Sequence, residues 1–261
     1  MADKIKTFDG KVWDVEELEK KAIDDSFYYG YLGQNALSSS SLKLLHKSPR
    51  AYQDSLNGIQ MNSKALYEGK LIHQMLLEPD KVDDVVVIDT TTRGTRIFKE
   101  AFAENQNTFT EKEFAHCKSI ADSVMRNKVS GQAIRIMQPE VPKIGLIDGL
   151  PFRGKADLLS KDGSSIIDIK TTGDLSRFRW AVRDFGYDMQ CVIYCELFGI
   201  SYEDFYFLVV DKKTKEVGLF DIKEETYLSG VQKVDFALDQ YHKYFVSKEE
   251  DINDFTIFGK V

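Results

Sequence analysis

The sequence predicts an α/β fold in which a mixed central β-sheet is flanked by helices. Two observations carry that prediction. Helical periodicity dominates the first 130 residues, and beyond residue 139 the pattern changes to extended runs separated by Asp-Gly pairs. The resulting order is helices, three strands, helices, two strands and a last helix, which calls for a helix-covered sheet with both parallel and antiparallel neighbours. At 261 residues, against about 150 per domain, one domain is expected over 1–261. Its parts would be a mainly helical region at 1–130, the sheet and its helices at 139–222, and a C-terminal helix and tail at 223–261. A chain of this length buries about 70–75% of its unfolded surface and needs no disulfide or metal staple to fold.

The elements follow in order. The segment to about residue 60 is polar and aromatic. Within it, the serines at 38–41 offer N-cap hydroxyls ahead of Leu42, Leu44 and Leu45, and Ser48-Pro49 closes the short helix. A helix is predicted over 63–77, stopped by Pro79, with Ala65, Gly69, Ile72 and Leu76 along one stripe. Another over 111–127 would bury Phe114, Cys117, Ala121 and Val124. Three strands are expected at 139–147, 150–160 and 164–171, joined by Asp148-Gly149 and Asp162-Gly163. Asp-Gly between alternating strands is a strong hairpin signal because both turn residues take positive φ. Helices at 175–185 and 188–198, strands at 204–210 and 217–222, and a helix at 224–246 complete the chain.

Composition excludes several classes. Thirty-five Lys and Arg against 42 Asp and Glu leave a net charge of −7, which argues against retention on nucleic acid or membrane by bulk charge. A local basic groove or bound cations could still grip a polyanion. Three cysteines, Cys117, Cys191 and Cys195, form no CxxC and support neither a disulfide framework nor a zinc ribbon. The opening Met-Ala-Asp-Lys-Ile-Lys has no signal-peptide core, and the longest apolar runs lie near 85–88 and 205–210. A soluble, cytoplasmic protein is expected, with no membrane partner.

The hairpin turns imply a register. Two-residue turns at both Asp-Gly pairs place Asp157 opposite Asp168, Lys155 opposite Lys170, and Glu140 opposite Asp157. Because side chains alternate, Glu140, Asp157 and Asp168 are then expected on one face of three adjacent strands, about 4.5–5.5 Å apart across each pair. The other face of the second hairpin would carry Ala156, Leu158, Ile167 and Ile169 into the core. Three adjacent carboxylates repel one another, and a hard divalent cation relieves that repulsion. The bland alternative is a solvated sheet face neutralised by Lys155 and Lys170, and a single bulge would break the register. Asp168-Ile169-Lys170 adds a lysine on the same face as Asp168, while the Ile169 carbonyl stays available to a metal. Such an ammonium can orient water and stabilise charge on a pentavalent phosphorus, so the constellation fits metal-assisted hydrolysis of a phosphodiester.

His73 lies four residues after Gly69, whose missing side chain would let the helix approach the sheet and bring the imidazole to the metal or a phosphate. A partly buried, satisfied histidine is the alternative. His46, His116 and His242 have no such context. Gln190 and Tyr194 lie at i and i+4 on one helix, with Tyr187 on the same stripe, and could position a phosphate backbone or Lys170. Thr171, Thr172, Lys155, Arg177 and Arg179 are further candidate phosphate contacts, with an exposed charged helix face the alternative for the arginines. Cys191 and Cys195 are expected in the core. Ser39, Ser41 and Arg50 are possible contributors to a 5′-phosphate pocket.

Together these residues resemble RecE-type (exodeoxyribonuclease VIII-like) exonucleases of the RecB-like branch of the PD-(D/E)XK nuclease superfamily. The resemblance runs from Leu37 to about Val210. It includes Leu37-Ser-Ser-Ser-Ser-Leu-Lys-Leu-Leu-His-Lys-Ser-Pro49 with Tyr52, and Glu68-Gly-Lys-Leu-Ile-His73 leading into Leu77-Glu-Pro79. It continues with Gly154-Lys-Ala-Asp157, Asp168-Ile-Lys-Thr-Thr172, Arg177-Phe178 and Tyr187-Asp-Met-Gln190-Cys-Val-Ile-Tyr194. The resemblance implies a restriction-endonuclease-like core and an Mg²⁺-dependent exonuclease, with Mn²⁺ as a substitute. Such an enzyme degrades one strand of linear double-stranded DNA from the 5′ end and leaves a 3′ single-stranded tail for phage or prophage recombination. By motif position it implies Asp157 and Asp168 as catalytic metal ligands and Lys170 as the catalytic lysine. It gives Glu140 and His73 as supporting metal-site residues, beside the Ile169 carbonyl that strand geometry offers, and Gln190 and Tyr194 as the helix motif of this branch. A single-strand annealing protein as partner and a homo-oligomeric ring around DNA are further implications. Lys155 departs from the arginine usual at its position. Three cysteines cannot supply the four-cysteine iron–sulfur cluster of CRISPR-associated relatives. An endonuclease, a single-strand-specific repair nuclease and a non-catalytic DNA-end binding module are the alternatives on the same core.

Overall fold

The computed structural model describes residues 3–59 and 63–256. A short antiparallel pair, β1 (Lys4–Lys6) and β2 (Val12–Asp14), leads into α1 (Val15–Lys21), a π-helical turn at Ser26–Tyr31 and α2 (Leu32–Asn35). Three helices follow: α3 (Ser39–Lys47), α4 (Pro49–Leu56) and α5 (Lys64–Leu77). Next come β3 (Val86–Ile88), α6 (Arg96–Glu104), β4 (Thr108–Thr110), α7 (Glu111–Arg126) and α8 (Lys128–Ile136), with β3 and β4 paired in parallel. The central sheet is built from β5 (Gln138–Ile147), β6 (Leu150–Leu159) and β7 (Ile166–Thr172). After α9 (Phe178–Asp184) and α10 (Tyr187–Phe198) it is completed by β8 (Phe205–Asp211) and β9 (Val217–Asp221), and α11 (Glu224–Tyr241) closes the order.

Local chemistry accounts for the boundaries. The Ser38 hydroxyl accepts from Ser41 N at the start of α3. Ser48 does the same for Ala51 N, so Ser48-Pro49 both ends α3 and starts α4, with Pro49 in the first turn where no N–H is needed. Thr110 and Glu113 form a reciprocal capping box at α7. In the β5–β6 turn both Asp148 (φ 52°) and Gly149 (φ 72°) are left-handed, as expected. The second connection differs. Only Gly163 (φ 74°) is left-handed there, and Ser160 N donates to Ser165 O, so the loop comprises four residues, 161–164. Both loop lengths pair the same residues, so Leu158 still faces Ile167.

Sheet order is β5-β6-β7-β8-β9, with β7 and β8 parallel and the other neighbours antiparallel. One face packs on α3, α9, α10 and α11 through Phe152, Ala156, Ile166, Phe205, Phe207 and Val209. The opposite face packs on α5 and α7 through Leu158, Ile169, Leu208 and Val210. The polar, aromatic N-terminal segment has its own small core, in which Trp13, Leu18, Tyr28 and Leu32 meet Ile144 of β5. That pairing and its helices had no clear periodic signal, since three-residue strands are too short to show one.

Ala156 and Leu158 enter opposite cores, although residues two apart on a regular strand share a face. This corrects the expectation that Ala156, Leu158, Ile167 and Ile169 form one buried face. The irregularity is centred on Asp157, and Glu140 across from it has a left-handed φ of 51°. From that point β6 and β7 diverge. Their pairing ends at Leu158–Ile167, whereas β7 stays paired with β8 over its whole length. The central sheet therefore forks at the acidic residues.

Candidate metal centre and active-site cleft

At the fork, the Asp157 carboxylate takes the place of the missing strand partner. Its Oδ2 accepts the Ile169 N–H at 2.6 Å, bridging the gap where backbone pairing has stopped. The N–H and C=O of one strand residue point the same way, so the Ile169 carbonyl is turned toward the same gap. From the opposite side, α5 brings His73, whose Nδ1 lies 3.6 Å from Asp157 Oδ2. Among the described residues, His73, Glu140 and Asp157 each offer a ligand atom, and these atoms lie within 4.8 Å of one another.

Asp168 is not one of these three groups, but its charge acts on Asp157. It is 1% exposed. Gln190 Nε2 donates to its Oδ2 at 2.6 Å. Its Oδ1 is buried without a hydrogen bond and is met by the Lys170 ammonium as an ion pair. The expectation of three acids on one face thus becomes two acids and an imidazole in one cluster. Asp168 adjoins it from the α10 side because β6 changes face at Asp157.

The electrostatics are those of crowded carboxylates. Burial, then the charge of Asp168, pushes the Asp157 carboxyl up to about 6. Burial, then Asp157 and Glu78, pushes Glu140 up to about 8. Burial alone would lower Lys170, but Asp168 and Asp157 outweigh it and hold its ammonium above the ordinary lysine value. The carboxylate oxygens of Glu140, Asp157 and Asp168 are hard donors, which suit Mg²⁺ or Mn²⁺, and the His73 imidazole adds a borderline nitrogen beside them.

The centre lies in a cleft of about 1120 Å³ that Thr171, Thr172, Lys155, Gln190 and Tyr194 also line. Several of the expected substrate contacts are occupied within the protein. Gln190 is bonded to Asp168. Tyr194 is 7% exposed and its hydroxyl donates to Lys155 O at 2.8 Å, so it braces β6 rather than facing solvent. Lys155, also 7% exposed, forms a 2.6 Å ion pair with Asp25 and lies over the Tyr28 ring. The Thr172 hydroxyl bonds with the Asp174 backbone and shapes the turn. Arg177 is exposed and does not line the cleft. Arg179 stacks on Trp180. Arg50 is exposed and bonded to Asn253, whereas Ser39 and Ser41 do line the cleft.

Gly69 does face Thr171, but an added Cβ would meet Thr171 Oγ1 at 3.6 Å, an ordinary contact. The approach of α5 does not depend on glycine there. The position that does is Gly154, where a Cβ would come within 2.9 Å of Leu197 and 3.3 Å of Tyr194. The missing side chain lets α10 lie on β6 and deliver Gln190 to Asp168.

Lys43 has no distinguishing sequence signal beyond its place in the serine-capped α3. Its ammonium lies 5.1 Å from the Tyr187 ring, and Lys170 lies 4.9 Å from the same ring. Burial, then the neighbouring Lys170 charge, lowers Lys43 to about 8. Lys212 also reaches the cleft, bonded to the buried Glu68 at 3.0 Å.

Comparison with known proteins agrees with this architecture. Residues 38–253 match the family described as "PDDEXK-like domain of unknown function (DUF3799)". Among solved structures, the chain is similar to one from Eubacterium rectale described as a "Putative exonuclease". The TM-score is 0.66 with 17% identity, covering 91% of this chain and 95% of that one. At that identity the likeness establishes the fold, and the expected PD-(D/E)XK core is borne out. A "phage related exonuclease" from Haemophilus somnus 129PT aligns with 82% of this chain and 96% of its own at 13% identity, but its TM-score of 0.35 carries no weight. No curated protein matches the chain.

Proposed function

Because the chain belongs to the PDDEXK-like family DUF3799, we propose that it is a metal-dependent deoxyribonuclease acting on the ends of linear duplex DNA. The observation that carries this reading is the His73–Glu140–Asp157 triangle beside the Asp168–Lys170 ion pair at the floor of a large cleft. His73, Glu140, Asp157 and Asp168, with the Ile169 carbonyl, would hold Mg²⁺, or Mn²⁺ in its place. When bound, the cation supplies Lewis-acid polarisation of the phosphate and lowers the pKa of water.

The protein's own groups do the rest. Gln190 fixes Asp168 by donating to Oδ2, leaving Oδ1 directed at Lys170. Lys170, charged and held by two carboxylates, orients the attacking water and stabilises negative charge as it builds on the phosphoryl oxygens. Water adds to phosphorus, the bond to the bridging ester oxygen breaks, and that oxygen leaves as a hydroxyl. Lys43 places a second ammonium on the same side of the cleft, suited to a neighbouring phosphate.

The RecE-type resemblance supports a 5′→3′ direction and 3′ single-stranded tails for recombination, used with an annealing partner. A ring of copies around the duplex would keep a chain of net charge −7 on its substrate by topology. The test is digestion of end-labelled linear duplex in Mg²⁺, with and without EDTA, alongside a covalently closed circle. Shortening of the linear substrate from its 5′ ends in Mg²⁺ alone, with Asp168→Ala and Lys170→Ala inactive but folded, is the expected result. Cutting of the circle would exclude an end-dependent enzyme, and digestion unaffected by either substitution would defeat the assignment.

A further inference from the structure

Two aromatic side chains that line the cleft are 63% exposed, Tyr29 and Phe185, and the one on the Lys170 side is Phe185. It follows α9 directly and lines the rim of the cleft. Its ring centroid lies 5.9 Å from that of Tyr187, and the Tyr187 ring lies 4.9 Å from Lys170 Nζ. The Phe185 ring is therefore one aromatic neighbour away from the lysine assigned to the reacting phosphate. Gly186, left-handed at φ 63°, separates the two rings, and the Lys43 stem packs at 3.1 Å from where a Cβ on it would sit. This holds the Phe185 turn beside α3.

The cleft floor is charged, which suits phosphates, so an apolar ring at its rim calls for an apolar partner. A phosphodiester chain supplies one, because every nucleotide that brings a phosphate also brings a flat base. Stacking of bases on aromatic side chains is tolerant of sequence and is a main source of affinity for unpaired strands. A base within a duplex is covered by its neighbours and cannot lie on an isolated ring without leaving the stack.

We propose that Phe185 is a stacking platform for an unpaired nucleobase of the strand held at Lys170, so that the strand entering the cleft from a duplex end is held apart from its complement there. The inference rests on the nuclease reading and goes beyond it by naming which part of the nucleotide is recognised and where. Phe185 is a positioning residue, since it touches no reacting atom.

The test uses the full chain and single-stranded oligonucleotides carrying 2-aminopurine near the 5′ end, measured in the Lys170→Ala background with Mn²⁺ to prevent turnover. Quenching of 2-aminopurine is expected with Phe185 present. Phe185→Ala should remove most of the quenching and weaken binding about tenfold, and Phe185→Trp should restore both. Replacing the stacked nucleotide by an abasic one should weaken the Phe185 protein about as much and leave Phe185→Ala unaffected. In the Lys170-containing enzyme, Phe185→Ala should raise KM more than it lowers kcat. Equal affinity and quenching for Phe185 and Phe185→Ala, with digestion of linear DNA intact, would overturn the platform alone. Absence of both DNA binding and digestion by the unaltered chain would overturn the nuclease reading, and the platform with it.

Discussion

Removing one negative charge from the candidate metal centre should make the metal-free protein more stable, and the effect should depend on pH in a defined direction. Asp157→Asn is the cleanest perturbation, because an amide oxygen can still accept the Ile169 N–H that the carboxylate now accepts at 2.6 Å. Burial and Asp168 raise the Asp157 carboxyl from 3.8 to about 6. At 1.36 kcal/mol per pH unit, that rise is about 3 kcal/mol. An acid whose folded pKa exceeds its unfolded value supports the fold below about pH 4 and withdraws that support as pH climbs through about 6. Asn imitates the neutral acid at every pH. The variant and the parent should thus be equally stable near pH 4, with the variant ahead by up to about 3 kcal/mol at pH 7.5. For a chain of this size that corresponds to roughly 6–12 °C in Tm. Thermal unfolding in EDTA at pH 4, 6 and 7.5 measures it. Repeating the pH 7.5 scan with Mn²⁺ should raise the parent's Tm and raise the variant's much less. A variant no more stable than its parent at pH 7.5, or an equal Mn²⁺ response, would show that Asp157 is not a crowded carboxylate awaiting a cation.

Four other substitutions probe the neighbours. Lys170→Ala leaves the 1%-exposed Asp168 without its counter-charge and should cost about 3–5 kcal/mol in the metal-free protein; denaturant unfolding in EDTA checks this. Gln190→Ala removes the donor to Asp168 Oδ2, and Mn²⁺ titration by calorimetry should show affinity lowered about 10–100-fold. Gly230→Ala would put a Cβ 2.6 Å from the Asp188 carbonyl oxygen, separating α11 from α10 at a cost of about 1–3 kcal/mol seen in thermal unfolding. Lys43→Gln should weaken DNA binding across all sequences and reduce the slope of log K against log salt by about one, as expected for the loss of one phosphate contact.

The register of the sheet was legible because local turn chemistry encodes it. Asp148-Gly149 can only be a tight reversal, and the four-residue loop around Gly163 keeps the pairing that a two-residue turn would give. Helix α5 was equally legible from its spacing and from Pro79. The fork was not. Whether β6 changes face at Asp157 depends on helices packing from both sides, with Ala156 drawn toward α10 and Leu158 toward α5. For the same reason the committed state of Lys155 was hidden. Its partner Asp25 is 130 residues away in sequence, just ahead of a π-helical turn with no periodic signature. Gln190 and Tyr194 were placed on the correct helix, but only the packed structure shows them turned toward Asp168 and β6.

The fork also explains how an acidic cluster can exist in a stable fold at all. Side by side on an intact sheet, Glu140, Asp157 and Asp168 would repel one another with no relief. Where β6 and β7 separate, two of the acids instead find distinct partners. Asp157 takes a backbone N–H and Asp168 takes Gln190 and Lys170, whereas Glu140 stays largely without one and its carboxyl is raised further than that of Asp157. The compensation is incomplete by construction. Closing the fork with regular pairing would satisfy the backbone and remove the gap beside which the proposed cation would sit. The unpaired stretch of β6 and β7 is thus the physical reason why charge accumulates here beyond what Lys170 offsets, and the proposed divalent ion would neutralise the remainder.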